Sequence, residues 1–469
     1  MNAVDLFLLQ NPWRKTIGFR VSPYLPRTMI DCIAPWLNEP EILVLIGPRQ
    51  SGKTTLILKI IEGLLAQGKT AEEVLYFSCD DSQIRALFDN VVDFVNFVKQ
   101  VSKAERRVVF VDEIQRIAEP GLFLKQLYDL KLDLKLIVSG SSSLEIRSQI
   151  AEPLTGRKMV FTILPMRSRE CLFADETFAG LLSTDLSEIQ SSFSDFDKIW
   201  GEKLQLKIHE YLVYGGYPRI LQTLAPGKKT HLLHEIYSSY VQKDVTDFLK
   251  VENVPGFNKL VQLFAISTGQ VINKSGLALS AGISVNTLDK YLQILVDTFV
   301  ICVVSPFFTN KVKEIVKNPK VYFVDPGMRN SVANLFNPVD SRSDAGFLQE
   351  TFILGELQEM LPNHISVRFW RTKVGAEVDF VIDTPQAPIP IECKSRLKKP
   401  IISRGYRNFL KQYQPPRGLV VNTGYYGEQI FEGVPITFVP YRWFSLLGRA
   451  AVEKALQTPD TRHPSSLVL

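Results

Sequence analysis

The chain has 469 residues, 45% of them hydrophobic, and a formal net charge of +5. That length and apolar content can bury several cores, which predicts two or three domains, and so small a net charge does not by itself mark a nucleic-acid binder. Five scattered cysteines (Cys32, Cys79, Cys171, Cys302 and Cys393), with no C-x-x-C pair and no Cys/His metal spacing, argue for a reduced cytoplasmic protein without disulfides or structural zinc.

The first residues, MNAVDLFLLQNPWRK, lack a basic n-region and place Asp5 inside their short apolar stretch, unlike a signal peptide. No apolar run approaches the roughly 20 residues of a membrane span, so a soluble protein is expected. From 41 to 165, short apolar runs alternate with amphipathic stretches. EILVLIG (41–47), EVLYFS (73–78), RVVFVD (107–112), LKLIVSG (134–140) and KMVFTIL (158–164) predict buried strands. Helix-length segments separate them, the pattern of an α/β fold with a parallel sheet covered on both faces.

GPRQSGKT (47–54) matches GxxxxGK(S/T) between the first strand and a helix. Gly47 and Gly52 let the backbone curl so that its N–H groups face phosphates, and the helix N-terminus adds positive potential. Lys53 reaches the β- and γ-phosphates, the Thr54 hydroxyl can ligate Mg²⁺, and Thr55 follows in the first helical turn. ATP with Mg²⁺ is the expected ligand. In RRVVFVDEIQRI (106–117) an apolar strand ends in Asp112, placed to support the metal, and Glu113, placed to orient the attacking water. VSGSSS (138–143) offers Ser139 or Ser141 as a γ-phosphate sensor. Arg157 is a candidate finger acting across a subunit interface, with a surface salt bridge as the competing reading.

The ordered set GPRQSGKTTL, DEIQ, GSSS, GR followed six residues later by LP, and GGYPR (215–219) resembles a group of AAA-type ATPases of bacteria and archaea. The C-terminal half of that group is a long-uncharacterised domain with a nuclease-like end, and the resemblance spans roughly residues 11 to 440. It implies a P-loop core over 1–170, a linker or insertion and helical lid over 171–250, and a winged-helix-like module over 251–325. A restriction-endonuclease-like domain over 326–450 and a tail over 451–469 complete the expected organisation. It also implies homo-oligomers. One departure is that the helical region shows no clear second sensor arginine.

Residues 175–203 are acidic and Ser-rich and predict a surface insertion or linker, after which the pattern turns helical to about 305. KSGLALSAGISVNTLDKYLQILVDTFVICVVSPFF (274–308) reads as helix, turn at Gly282, helix and strand, the order of a helix-turn-helix with a wing. Leu288, Leu292 and Leu295 recur at helical spacing there. TNKVKEIVKNPK (309–320) sets Lys311, Lys313, Lys317 and Lys320 against Glu314, and basic wings contact phosphates. A module that only packs domains together remains open, because the second helix is not especially basic.

An amphipathic helix (346–361) precedes VGAEVDFVIDTPQAPIPIECKSR (374–396). In extended strands residues two apart share a face, so Glu392 and Lys394 project together, and the loop TPQAPIP can return the chain beside Asp379. D-x12-E-x-K is the pattern of PD-(D/E)xK nucleases: Asp379 and Glu392 would hold Mg²⁺ and Lys394 would stand near the hydrolytic water. Glu356 or Glu350 on the preceding helix could add a third acid. The pattern is loose, and a hairpin with a polar face competes with it. Residues 391–417 carry eight Lys/Arg against one Glu, which suits a DNA backbone or a solvated basic face. The tail from Gln457 is expected to be disordered. The whole predicts an ATP-hydrolysing AAA-type ATPase coupled to a DNA-binding, nuclease-like C-terminal domain. Its rivals are a nucleotide-dependent switch and a protein-remodelling ATPase whose inactive nuclease-like domain is an adaptor for a protein client.

Overall fold

In a computed structural model the described residues are 2–16, 18–140, 154–248, 251–308, 317–362, 364–394, 397 and 399–456. Ser141, the wing residues Lys311, Lys313 and Glu314, Arg396 and Lys398 of the basic run, and the tail from Gln457 lie outside them.

The five apolar runs form β1 (Ile42–Ile46), β2 (Val74–Ser78), β3 (Arg107–Asp112), β4 (Leu134–Gly140) and β5 (Lys158–Thr162). All pair in parallel, in the order β2-β3-β4-β1-β5. Ile42, Val44 and Ile46 enter one core with Phe77, Val109 and Val138, while Leu43 and Leu45 enter another with Tyr76, Phe110 and Ile137. Successive strand residues point to opposite faces, and here both faces are covered, which is why the strands are unbroken apolar runs rather than alternating ones. The register sets Ile46 beside Gly140 and Val111 beside Val138, so the loops after β1, β3 and β4 emerge at one edge of the sheet.

The chain packs as two units: Met1–Met166 with Tyr217–Gln222 and Gln293–Phe299, and Arg167–Gly216 with Thr223–Leu292 and Val300–Leu469. In the second, the stretch read as a linker is helical, with Ala179–Leu182, Leu186–Ser191 and Phe193–Tyr214 burying Leu181, Ile189 and Leu204. The Asp197 carboxylate accepts hydrogen bonds from Arg442 Nε (2.9 Å) and Nη2 (2.6 Å) and from Trp443 Nε1 (2.6 Å). A half-buried carboxylate with three donors fixes this segment in place.

Helix Lys274–Ala281 ends at Gly282 in the left-handed region, helix Val285–Asp297 follows, and β6 (Ile301–Val304) pairs antiparallel with β7 (Lys320–Phe323). The chain ends in a mixed six-stranded sheet, ordered β12-β13-β11-β10-β9-β8. Its members are β8 (Ser366–Arg371), β9 (Glu377–Asp383), β10 (Ile389–Cys393), β11 (Gly418–Asn422), β12 (Gly427–Phe431) and β13 (Val434–Pro440). Helix Ala345–Met360 precedes this sheet in the chain, and helix Arg404–Tyr413 buries Tyr406, Phe409 and Leu410 in its core. Among the described residues no helix is long and apolar enough to cross a membrane, and all five cysteines are free thiols.

Candidate functional site

The loop after β1 has the local geometry its glycines demand. A Cβ on Gly47 would meet the Ile163 carbonyl oxygen at 2.1 Å, and Gly52 has φ +94°, a left-handed conformation that costs an L side chain energy. Gly52 caps helix Lys53–Ala66 without a side-chain hydrogen bond, which leaves the first helical N–H groups directed at the loop. Lys53 is buried, and its ammonium donates to the carbonyls of Gly47 (2.9 Å) and Pro48 (2.8 Å), which bends it over the loop.

Asp112, at the end of β3, is also buried. Its Oδ2 accepts from the Thr54 hydroxyl at 2.6 Å and from the Tyr76 hydroxyl at 3.0 Å, and its Oδ1 from the Ser139 hydroxyl. Burial, with Asp112 alongside, holds the Tyr76 hydroxyl protonated well above the usual range. A hydroxyl and a carboxylate in contact are the oxygen donors that Mg²⁺ takes, so Thr54 and Asp112 fit that ion. Glu113 follows in the left-handed region (φ +57°), rare for a residue with a side chain, and its Oε2 accepts from Gln115 Nε2 at 2.5 Å. Thr55 lies exposed in the first helical turn.

Sequence reasoning missed two neighbours of this loop. Arg27 donates to the Ser51 carbonyl (2.9 Å) and the Leu164 carbonyl (2.7 Å), tying the phosphate loop to the end of β5. Pro218, from GGYPR, lies 3.4 Å from where a Gly52 Cβ would stand. Arg27 has no signal beyond its residue type, whereas Pro218 lies in the GGYPR motif, whose place beside the loop the sequence does not show. Arg157 is placed differently. Its carbonyl accepts the Ile42 N–H at the start of β1, the end of the strand opposite the phosphate loop, and its guanidinium pairs with Asp129 at 3.3 Å over the Tyr128 ring. Within its own chain it takes the salt-bridge role.

The second cluster lies in the C-terminal sheet. β9 and β10 are antiparallel with Phe380 opposite Ile391, and one further step in that register sets Asp379 opposite Glu392. Asp379 Oδ2 accepts the Cys393 N–H at 2.7 Å. Glu392, buried, accepts the Ser403 N–H at 3.3 Å, and its Oε1 pairs with Lys394 Nζ at 3.0 Å. Burial opposes the Lys394 charge, but Glu392 and Asp379 outweigh it and raise the ammonium's pKa. The structure thus brings together Asp379, Glu392 and Lys394.

It does not bring Glu356. Glu356 Oε1 accepts from Ser168 N (3.2 Å) and Oγ (2.9 Å), and burial, then the nearby Glu359, pushes its pKa up to about 7. Six residues along a helix is a turn of roughly 240°, so Glu350 and Glu356 face different ways. Glu350 is the acid beside Asp379: burial, then Asp379, raises its pKa, and its Oε2 accepts the Tyr322 hydroxyl at 2.9 Å. Lys320, read as a wing lysine, is buried instead and pairs with Glu377 Oε1 at 2.5 Å. Among the described residues no three His, Cys, Asp or Glu side chains converge where a metal ion could be held. The acids are committed to N–H groups, a tyrosine and two lysines, so as they stand they do not fit a metal.

An AAA domain model matches residues 39–172, so the chain carries an AAA-type ATPase fold at its phosphate loop. Two domains of unknown function match the remainder, DUF8612 over 205–339 and DUF4143 over 345–443. An uncharacterized protein of Mycobacterium tuberculosis is 24% identical over 392 residues, 83% of this chain and 78% of that one. One of Methanocaldococcus jannaschii is 24% identical over 349 residues, 73% of this chain and 72% of that one. Among solved structures, the Aeropyrum pernix ORC2 protein in its ADP form aligns at a TM-score of 0.33 and 14% identity, covering 68% of this chain and 95% of that one. The Aeropyrum pernix ORC1 protein in complex with DNA aligns at 0.29 and 14%, covering 67% and 94%.

Proposed function

We propose that this is an ATP-binding and ATP-hydrolysing AAA-type ATPase coupled to a nuclease-like C-terminal domain that acts on DNA. The observation that carries the reading is the contact between Thr54 and Asp112 under a buried Lys53 and a row of helix N–H groups. Lys53 and the loop amides would hold the β- and γ-phosphates, and Thr54 and Asp112 the Mg²⁺, which neutralises phosphate charge when bound. Glu113 would orient water, and Ser139, hydrogen-bonded to Asp112, would report on the γ-phosphate. Homo-oligomers are part of this proposal, with Arg157 a candidate only if a neighbouring copy presents it. The helices around Gly282 with β6 and β7 are assigned as a winged-helix-like module, and DNA contact to the basic face of helix Arg404–Tyr413, where Arg404, Arg407 and Lys411 are exposed.

The second reading is a nucleotide-dependent switch or remodelling ATPase whose nuclease-like domain is an inactive adaptor for a protein client. What favours it is the commitment of Asp379, Glu392 and Glu350 to protein donors. The experiment is ATP turnover together with cleavage of single-stranded, duplex, forked and four-way DNA, in Mg²⁺ or Mn²⁺, by wild type and Lys53→Ala. Turnover that DNA stimulates and Lys53→Ala abolishes supports the first reading. Turnover indifferent to every DNA favours the second, and no turnover at all removes hydrolysis from both.

A further inference from the structure

We propose that Lys320 is the resident cation of the C-terminal acid cluster, its ammonium standing where a divalent metal would have to sit, so that the resting protein does not load metal there. This rests on the nuclease-like reading of Asp379, Glu392 and Lys394. Lys320 begins β7 and is only 3% exposed. Its Nζ is 2.5 Å from Glu377 Oε1 and 5.3 Å from the centre of the Phe369 ring. Burial works against its charge, yet Glu350, Glu377 and Asp379 together outweigh burial and keep it protonated. A lysine is almost never buried unless paired, and Glu377, two residues before Asp379 on the same face of β9, is the partner in contact with this one.

β7 supplies a second group to the same cluster. Tyr322 lies two residues on, hence on the same strand face, and its hydroxyl holds Glu350. Together the two side chains satisfy the helix acid and neutralise Glu377, while the Cys393 N–H and Lys394 hold Asp379 and Glu392. A divalent ion would have to displace the ammonium and break the Tyr322 hydrogen bond. Removing the ammonium alone leaves like charges in a buried site that only another cation can hold together. The sequence shows Lys320 as one more basic residue after a strand; its role appears only when β7 turns it inward.

The test is Mn²⁺ titration of the full chain without nucleotide, followed by calorimetry and by thermal unfolding. Wild type, Lys320→Met, Lys320→Arg and each combined with Asp379→Asn are compared. The expected result is that wild type and Lys320→Arg show no Mn²⁺ binding or stabilisation that Asp379→Asn removes. Lys320→Met should gain such a site, with affinity raised roughly tenfold or more. An Asp379-dependent Mn²⁺ site in wild type overturns the proposal, as does a folded Lys320→Met that gains none. If Lys320→Met does not fold, wild type against Asp379→Asn decides alone, since the proposal forbids a site there. None of these readouts uses ATP turnover or DNA, so a failure of the ATPase–DNA reading registers separately.

Discussion

The Thr54 hydroxyl donates to Asp112 Oδ2 at 2.6 Å, joining the first turn of a helix to the end of a strand 58 residues away. Ser139, at the end of a third strand, meets the other oxygen of the same carboxylate. One buried acid is thus shared by the phosphate loop, β3 and β4. Thr54 and Asp112 are the residues that would hold Mg²⁺, and Ser139 shares the Asp112 carboxylate with them.

Lys53→Ala is expected to abolish measurable ATP binding and leave the fold intact. The lysine holds two carbonyls of its own loop, and the loop lies at the edge of a sheet whose stability comes from two apolar cores. Titration with a fluorescent ATP analogue beside thermal unfolding checks both halves. Wild-type affinity in a folded variant would remove the nucleotide-site assignment.

Glu113→Gln is expected to slow ATP turnover by about 10²- to 10⁴-fold while leaving ATP affinity unchanged, because a residue that orients water acts after binding. Gln115 Nε2 can still donate to the new amide oxygen, so the loop conformation is retained. Single-turnover hydrolysis and equilibrium binding on one sample distinguish the cases; a fall in affinity matching the fall in rate would make Glu113 a binding residue.

The first half of the molecule was legible because its chemistry is contiguous. Strands buried on both faces are unbroken apolar runs, and the phosphate loop carries its glycines, lysine and threonine in eight residues. The second half was less so. Asp175 and Asp185, which helped residues 175–203 look like a linker, cap helical turns through Thr177 N and Ser187 N. The acids of helix 346–361 could not be ranked, since nothing in its periodicity says whether Glu350 or Glu356 meets β9. Lys320 reads as part of a basic, phosphate-contacting wing because charge alone does not report the side of a strand it leaves from. Asp379, Glu392 and Lys394 lie together because strand alternation and a short return loop place them by arithmetic.

Arg404→Ala with Arg407→Ala is expected to weaken DNA binding about equally for all sequences and to lower the slope of log affinity against log salt by about 2. Both side chains are exposed on the helix face opposite Tyr406, Phe409 and Leu410, so stability should not change. Fluorescence anisotropy from low to moderate salt measures the slope. An unchanged slope would assign this face to solvent.

Stability is expected to fall as pH rises from about 5 to 7, and Glu356→Gln to remove much of that fall. The Glu356 carboxyl is buried against Ser168 and near Glu359, and its pKa in the folded protein rises from an ordinary 4.5 to about 7. Arg167 lies close enough to oppose the rise but does not cancel it. Between those values the folded chain keeps a proton that the unfolded chain has released. The folded state is therefore favoured most below about 4.5 and loses that advantage as pH climbs towards 7. At roughly 1.4 kcal/mol for each tenfold change in proton affinity, the loss approaches about 3 kcal/mol. Glutamine keeps an oxygen for the Ser168 N–H and hydroxyl but has no proton to lose, so its stability curve should be flatter and lie above wild type at pH 7. A residual slope remains from Glu350, which burial and then Asp379 raise to about 8, and from Asp325, which burial raises to about 6. Urea unfolding of both proteins at pH 5 and pH 7 gives the comparison, and parallel curves would mean that Glu356 is charged at its buried position at both pH values.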